Sequence, residues 1–525
     1  MTMEDSSVPF LRNAEAAVQS AVRKQKIKPL SLLPLVALIF YDVSGGPFGI
    51  EDAVSAGGPL LAILGFLILP LVWSVPEALI TAELATTFPE NSGYVAWVTA
   101  AFGPFWGFQE GFWSWVSGVT DNSLYPVMFL SYLDALVPGL KTGWQRNLLL
   151  VVVSLALSYL NYRGLHIVGR TAVVMTGFII LPFLVLMCLA LPHIKPANWV
   201  VVDLKTVQWG AFLNIMFWNL NYWDSVSTLA GEVSNPAKTF PRALFGAVIL
   251  VTTTYALPLI FGVGVTTDIA DWKLGYFASL AKQMGGHWLS WWMVAAAAVS
   301  QIGQFEAEMS SDSFQLLGMA ERGFLPKGLA RRSKHDTPTI GIILSSLGVL
   351  TLSTFDFLQI VELLNIVYCL AELMEFAAFL YLRYKVPNLF RPYRVPLPNW
   401  AVTLMLVPAG ALLLTILALP IARGDWEMMA WTGGCIVLGL LLYPFLQTAR
   451  KREWFEFAGV SPHDFQSNLY ASLPVVTGSD LNTRPVINGA PVMTADELHV
   501  GRAQEPLVAT PPPAADPDHI DESQL

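Results

Sequence analysis

The chain has 525 residues, of which 54% are hydrophobic and 13% charged, and its formal net charge is −9. Soluble globular proteins carry roughly 25% charged residues, so an array of soluble domains is excluded. The thinly scattered Lys and Arg also form no basic surface for nucleic acid.

The polar segment 1–28 lacks the apolar stretch of a cleavable leader, so the first span is expected to direct insertion. Twelve apolar runs long enough to cross a bilayer are then predicted. The first six are Leu30–Ala56, Pro59–Phe88, Phe105–Leu136, Asn147–Tyr162, Val168–Leu191 and Val207–Ala230. The second six are Pro241–Val265, Trp288–Ala320, Pro338–Phe355, Leu358–Tyr384, Trp400–Ile421 and Met429–Leu446. Beyond them the composition turns to Pro, Asp, Ser and Ala, with Pro511, Pro512 and Pro513 in a row. The expected architecture is all-α and integral to the membrane, with about twelve transmembrane helices. It has a cytosolic segment 1–28, a membrane domain 29–452 and a cytosolic, disordered tail 453–525. Cys188, Cys369 and Cys435 sit in apolar runs without a companion Cys or His, which argues against disulfides and metal sites. No cofactor is expected.

With a cytosolic N-terminus, only Lys141, Arg146, Lys195, Lys205, Lys273, Lys282 and Arg423 fall outside, so both termini are assigned to the cytosol. This sorting leaves no Lys or Arg within a span. The acids behave differently. Asp42, Glu51, Asp52, Glu77, Glu83, Glu110, Asp121, Asp224, Glu306, Glu308, Asp312, Glu362, Glu372 and Glu375 all lie in apolar runs. A charge at the bilayer centre costs roughly 2.5–3.5 kcal/mol even on the mild insertion scale. With no internal cation, these carboxylates must be protonated, hydrated in a cavity, or paired with a cation from outside. The third option points to a small organic cation as substrate.

The acids follow helical faces. Span three carries Glu110, Ser114, Ser117, Asp121 and Tyr125 on one face. Span eight carries Gln301, Gln304, Glu308, Asp312 and Gln315, and span ten Glu362, Asn365, Tyr368, Glu372 and Glu375. One such stripe is ordinary interhelical hydrogen bonding. Three acidic stripes without basic partners fit a water-filled cavity better. Two spans also look broken. Span one contains Ser44-Gly45-Gly46-Pro47-Phe48-Gly49, preceded by Asp42 and followed by Glu51-Asp52. Span six contains Phe217-Trp218-Asn219-Leu220-Asn221-Tyr222-Trp223-Asp224. Broken helices at corresponding places in two halves mark inverted-repeat transporters with a midplane site.

The segments Val43–Asp52, Phe217–Pro241 and Met319–Pro326 resemble the amino acid–polyamine–organocation superfamily, and within it the plant polyamine uptake transporters related to L-type amino acid transporters. The Gly231-Glu232…Asn235-Pro236 and Gly323-Phe324-Leu325-Pro326 patterns carry the wider resemblance. It implies a five-plus-five inverted repeat with broken helices one and six, two additional helices, and proton-coupled uptake. Amino-acid carriers of the superfamily grip the substrate carboxylate with a Gly-Ser-Gly break. Gly45-Gly46-Pro47 stands there in this chain, and proline removes an amide donor. Trp218 matches the family's gating aromatic.

The expected function is therefore proton-coupled import of polyamines (putrescine, spermidine, spermine) and related organic cations across the plasma membrane, with an endomembrane as the alternative. A carrier of cationic or neutral amino acids and a non-transporting membrane sensor are the rival readings. An enzyme is disfavoured, because no nucleophile–base or metal set is present. Asp42, Glu51, Asp121, Asp224, Glu308 and Glu372 are the candidate amine ligands or proton carriers. Gly45, Gly46, Asn122 and Asn221 complete the expected site. Trp218, Tyr222 and Trp223 are assigned to the alkyl chain and gating, and Tyr368 to hydrogen bonding. The expected partners are the cationic substrate, protons and the bilayer.

Overall fold

The computed structural model describes residues 30–134, 139, 143–266, 268–355 and 357–458, with 486–487 and 490–491. Segment 1–28 and nearly all of the tail 453–525 lie outside the described residues. The chain divides into Met1–Ala471 and Ser472–Leu525. In the second unit, Val486–Ile487 pairs antiparallel with Ala490–Pro491.

The first unit is helical. Its helices in order are α1 (Leu32–Val43), α2 (Glu51–Leu69), α3 (Val75–Thr87), α4 (Tyr94–Phe102), α5 (Pro104–Asn122), α6 (Leu124–Asp134), α7 (Gly143–Tyr162) and α8 (Leu165–Ala190). Then come α9 (Trp209–Trp218), α10 (Pro236–Val265), α11 (Tyr276–Gly285), α12 (His287–Glu321), α13 (Thr339–Leu352), α14 (Phe357–Lys385), α15 (Asn399–Arg423) and α16 (Trp426–Lys451). Among the described residues, six helical stretches are long and apolar enough to cross a membrane: Glu51–Thr87, Thr171–His193, Pro236–Val265, Phe357–Lys385, Asn399–Arg423 and Trp426–Lys451. The helices α1 and α13 are apolar but shorter.

Polarity runs inside out. Leu71 is 70% exposed, Val174 74% and Leu441 63%, whereas Glu77, Glu110 and Glu372 are fully buried. An exposed apolar surface of this extent needs lipid around it. The protein is a multi-pass membrane protein whose polar groups collect at the helix interfaces.

Two features build the interior. First, predicted spans one and six are each interrupted. Helix α1 ends at Val43 and α2 begins at Glu51, while α9 ends at Trp218 and a 3₁₀ segment occupies Ser225–Glu232. The far ends of these spans are tied together. The Leu30 amide donates to the Glu232 carbonyl at 3.3 Å, and the Ser234 amide to the Leu30 carbonyl at 2.8 Å. Second, a π turn at Pro70–Ser74 joins α2 to α3. A π turn inserts a residue into the helical ladder and re-aims the helix beyond it. Here the re-aimed turn is the one bearing Glu77.

The family-like patterns are helix punctuation. Asn235 adopts φ 49° ahead of Pro236, the first residue of α10. Gly323 adopts φ 79° just beyond α12, and the Phe324 amide folds back to the Met319 carbonyl at 2.9 Å. The Glu232 carboxylate receives Asn91 at 2.8 Å and Arg332 at 2.7 Å, joining three loops.

One sequence expectation fails here. Arg383 lies within predicted span ten and is 1% exposed, so a cation does enter a span. It pairs with Glu83 on α3, its Nε 2.8 Å from Oε1. Arg391 adds a contact at 2.9 Å, and the Val395 amide donates to Oε2 at 2.8 Å. Glu362 also has a cation, Arg423, at 2.9 Å. Glu83 and Glu362 therefore leave the set of uncompensated acids. Because α14 stays helical to Lys385, Arg383 is held against α3 within the packed span and not in the loop that follows.

Removing one partner of a buried ion pair strands the other charge, at a cost of about 3–5 kcal/mol. Arg383→Met should therefore lower the thermal midpoint of the detergent-solubilised protein clearly. Glu83→Gln with Arg383→Met together should lower it less than the two single effects added. A thermal-shift series of the three variants checks this.

Candidate functional site

The first break has used up its own donors. The Ser44 and Gly45 amides both donate to the Phe40 carbonyl at 2.9 Å, and the Phe48 amide donates to the Gly46 carbonyl at 2.8 Å. The Gly46 amide donates to Ser44 Oγ at 3.1 Å, and the Gly49 amide to Glu51 Oε2 at 2.7 Å. Pro47 has no amide hydrogen to offer. A substrate carboxylate therefore finds none of these five amides free. Glu51 also accepts from the Gly275 amide at 3.3 Å, so its carboxylate clamps the break instead of lining the space between the two breaks.

Two glycines make the break possible. Gly45 adopts φ +60°, and a Cβ there would fall 2.4 Å from the Gln304 side chain. Gly49 adopts φ +94°, and a Cβ would fall 2.8 Å from the Trp218 ring. Both the backbone conformation and the close approach require glycine. Gly46 faces Ile179 rather than a polar group.

A closed cleft, without room for even a water molecule, lies between the two breaks, lined by Asp42, Asp121, Trp218, Asn221, Tyr222 and Gln304, with Val43, Tyr125, Asn219 and Tyr255. Asp121 spans it, receiving the Trp218 indole N–H at 2.7 Å and the Tyr125 hydroxyl. Among the described residues, Asp42 receives Ser311 alone, at 3.4 Å, and its Oδ2 has no partner. Behind these, Glu308 and Asp312 crowd against Gly118 of α5, where a Cβ would lie 2.8 Å and 2.1 Å from their oxygens. One oxygen of each is unpartnered.

Five of the expected site residues thus share the cleft, and the rest are distributed around it. Asn122 is fully buried, with both side-chain ends unpartnered. Trp223 is buried away from the cleft and donates its indole N–H to the Leu220 carbonyl at 2.7 Å. Asp224, Tyr368 and Glu372 belong to a second group. Tyr368 Oη lies 2.6 Å from Glu77 Oε1, 2.9 Å from Asp224 Oδ1 and 2.9 Å from Glu372 Oε1. It accepts from the Tyr222 amide at 3.0 Å, and the Trp223 amide donates to Glu77 at 2.8 Å. Tyr222 reaches this geometry at φ 67°, a left-handed conformation costing roughly 1–2 kcal/mol for a non-glycine residue. Such strain persists only where surrounding contacts enforce it.

Oxygens of Glu77, Asp224 and Glu372 lie within 4.8 Å of one another, a spacing that would also suit a metal ion. No ion pair to Lys, Arg or His among the described residues reaches them or the cleft acids. Two like unit charges at 4 Å repel by about 4 kcal/mol at an effective dielectric of 20. The group is therefore built to hold positive charge, whether a proton or another cation.

A family model described as amino acid permease matches residues 30–441. The chain belongs to the amino acid permease family. A probable polyamine transporter of Arabidopsis thaliana is 55% identical over 84% of this chain and 93% of its own length. A polyamine transporter of Oryza sativa subsp. japonica is 53% identical, over 82% of this chain and 81% of its own. A second polyamine transporter of Arabidopsis thaliana is 51% identical, over 85% and 90%. This permease is thus a secondary transporter and not an enzyme.

Several cleft residues were not singled out in the sequence. Gln304 and Tyr125 stood on the polar stripes, and Asn219 lay in the broken segment. Tyr255 gave no signal, being an aromatic residue in an apolar helix. Glu77 was visible only as an acid in an apolar run, since the partners that give it meaning lie on other helices.

The Gly49–Trp218 contact yields a test. Gly49→Ala should push the indole off Asp121 and strain the backbone by roughly 1–2 kcal/mol. Trp218 fluorescence, read in a variant retaining that tryptophan alone, should shift while the protein still reaches the membrane.

Proposed function

We propose that this permease is a proton-coupled importer of polyamines (putrescine, spermidine and spermine) and of related organic cations. The observation that carries the reading is the pairing of a carboxylate-lined cleft with a first break whose amides are already occupied. That combination suits an ammonium group and leaves none of those five amides to grip an α-carboxylate. The names of the relatives agree with it.

In this reading one ammonium sits among Asp42, Asp121 and Glu308, and the alkyl chain lies against Trp218, Tyr222 and Tyr255. Aromatic faces hold both cations and methylenes. Trp218, tied to Asp121, closes the cleft and must release that carboxylate for substrate to enter. Twelve spans, a five-plus-five inverted repeat, cytosolic termini and residence in the plasma membrane complete the proposal. It is supported by the paired breaks, the tie between Leu30 and the end of span six, and the bias of Lys and Arg towards one side.

The test is uptake of radiolabelled spermidine by the full chain in proteoliposomes, from acidic or neutral outside medium, with arginine and leucine as competitors. Saturable uptake, faster from the acidic side and indifferent to both amino acids, is expected. Asp42→Asn and Glu308→Gln each remove a charge-assisted contact worth about 1.5–3 kcal/mol, a loss of about tenfold to a hundredfold in apparent affinity. Entry of leucine or arginine with spermidine ignored would overturn the polyamine assignment.

A further inference from the structure

We propose that Glu77, Asp224 and Glu372, gathered on Tyr368, form the proton-carrying site of this permease, separate from the amine cleft and linked to it through residues 222–224. The inference rests on the polyamine-transport reading and divides the acids between two tasks.

The donor count is the first argument. A hydroxyl has one hydrogen to give and two lone pairs. The Tyr222 amide takes one lone pair at 3.0 Å, yet three carboxyl oxygens stand within 2.6–2.9 Å of the same Oη. The hydroxyl hydrogen satisfies one of them. A second contact requires a carboxylic O–H donating to the remaining lone pair, so the arrangement holds at least one proton.

Glu375 is the second argument, and it lies outside the triad. It is 1% exposed, and neither of its oxygens has a conventional donor. Its carboxyl instead faces those of Asp224, Glu372, Glu110 and Glu77, and like charges gathered this closely favour keeping a proton among them. Oε2 of Glu77 and Oε2 of Glu372 are likewise buried without partners.

Among the described residues, no Lys, Arg or His forms an ion pair with the group. Facing the group are Glu110 on α5, Tyr94 on α4, Cys369 on α14, and Asp42 and Glu308 at longer range. A metal ion fits the oxygen spacing, but Tyr368 Oη already contacts one oxygen of each of the three acids.

The connection to the cleft is covalent and short. The amides of Tyr222 and Trp223 are held by Tyr368 and Glu77. Tyr222 turns its ring into the cleft and its hydroxyl to Ser117 at 2.6 Å. A proton arriving from outside forms a carboxylic O–H and keeps the three oxygens drawn onto Tyr368, with residues 222–224 fixed. When it leaves to cytosolic water, like charges face one another and the hold on that segment loosens. Nothing else is consumed.

The experiment uses the full chain in proteoliposomes containing a pH-sensitive dye, with spermidine as probe. Wild type should show spermidine–spermidine exchange, and a one-unit pH gradient should raise accumulation by up to about tenfold per coupled proton. Glu77→Gln should lose the gradient response and the dye signal while exchange continues. Tyr368→Phe, which removes only the hydroxyl, should give the same split and serves if Glu77→Gln does not fold. Gradient-driven accumulation persisting in either folded variant would overturn the assignment. So would wild-type accumulation that tracks sodium or is abolished by a chelator. Absence of spermidine exchange in wild type would instead defeat the transport reading itself.

Discussion

Burying carboxylates where no protein cation can reach them is the constraint on which the rest of this structure depends. Water solvates a carboxylate far better than a helix interface does, so each buried acid must find donors, protons or a foreign cation. Glu83 shows the ordinary solution, two arginines and a backbone amide. The acids at the centre have no such partner among the described residues. Their helices are held in place by apolar packing and by the neutral donors Tyr125, Trp218, Ser311 and Tyr368. In the proposed reading, the unmet demand is left for what the permease carries.

The broken spans serve this arrangement in different ways. The first break closes on itself, with amides turned to Phe40, Ser44, Gly46 and Glu51, so its contribution to the cleft is shape. Glycines at 45 and 49 let Gln304 and Trp218 approach the backbone. The second break does the opposite. It directs amides outward to Tyr368 and Glu77, and so connects the cleft wall to a second acidic group. In the proposed reading the first break is the rigid wall and the second the wall that responds.

The same logic explains why one arginine inside a span does not weaken the case for a cationic cargo. Arg383 is consumed by Glu83, the Val395 carbonyl and neighbouring groups. It pins α14 to α3 away from the cleft. Its neutralised partner drops out of the acid count, and the central acids are untouched.

Much of this was legible in the sequence, because period and polarity are local properties. Apolar runs gave the membrane class, helical spacing gave the acidic stripes, and Gly-Gly-Pro and Asn-rich segments gave the interruptions. These signals brought Asp42, Asp121, Trp218, Asn221 and Tyr222 to one expected site. What only the tertiary structure decided was which acids meet. Glu77, Asp224 and Glu372 come from three separated stretches, and a single hydroxyl joins them. Whether Glu51 faces a ligand or its own backbone, and whether Arg383 is a loop residue or a buried partner, likewise turned on side-chain direction and helix extent. Composition determines that charge is buried in this protein, and packing alone determines what each buried charge can touch.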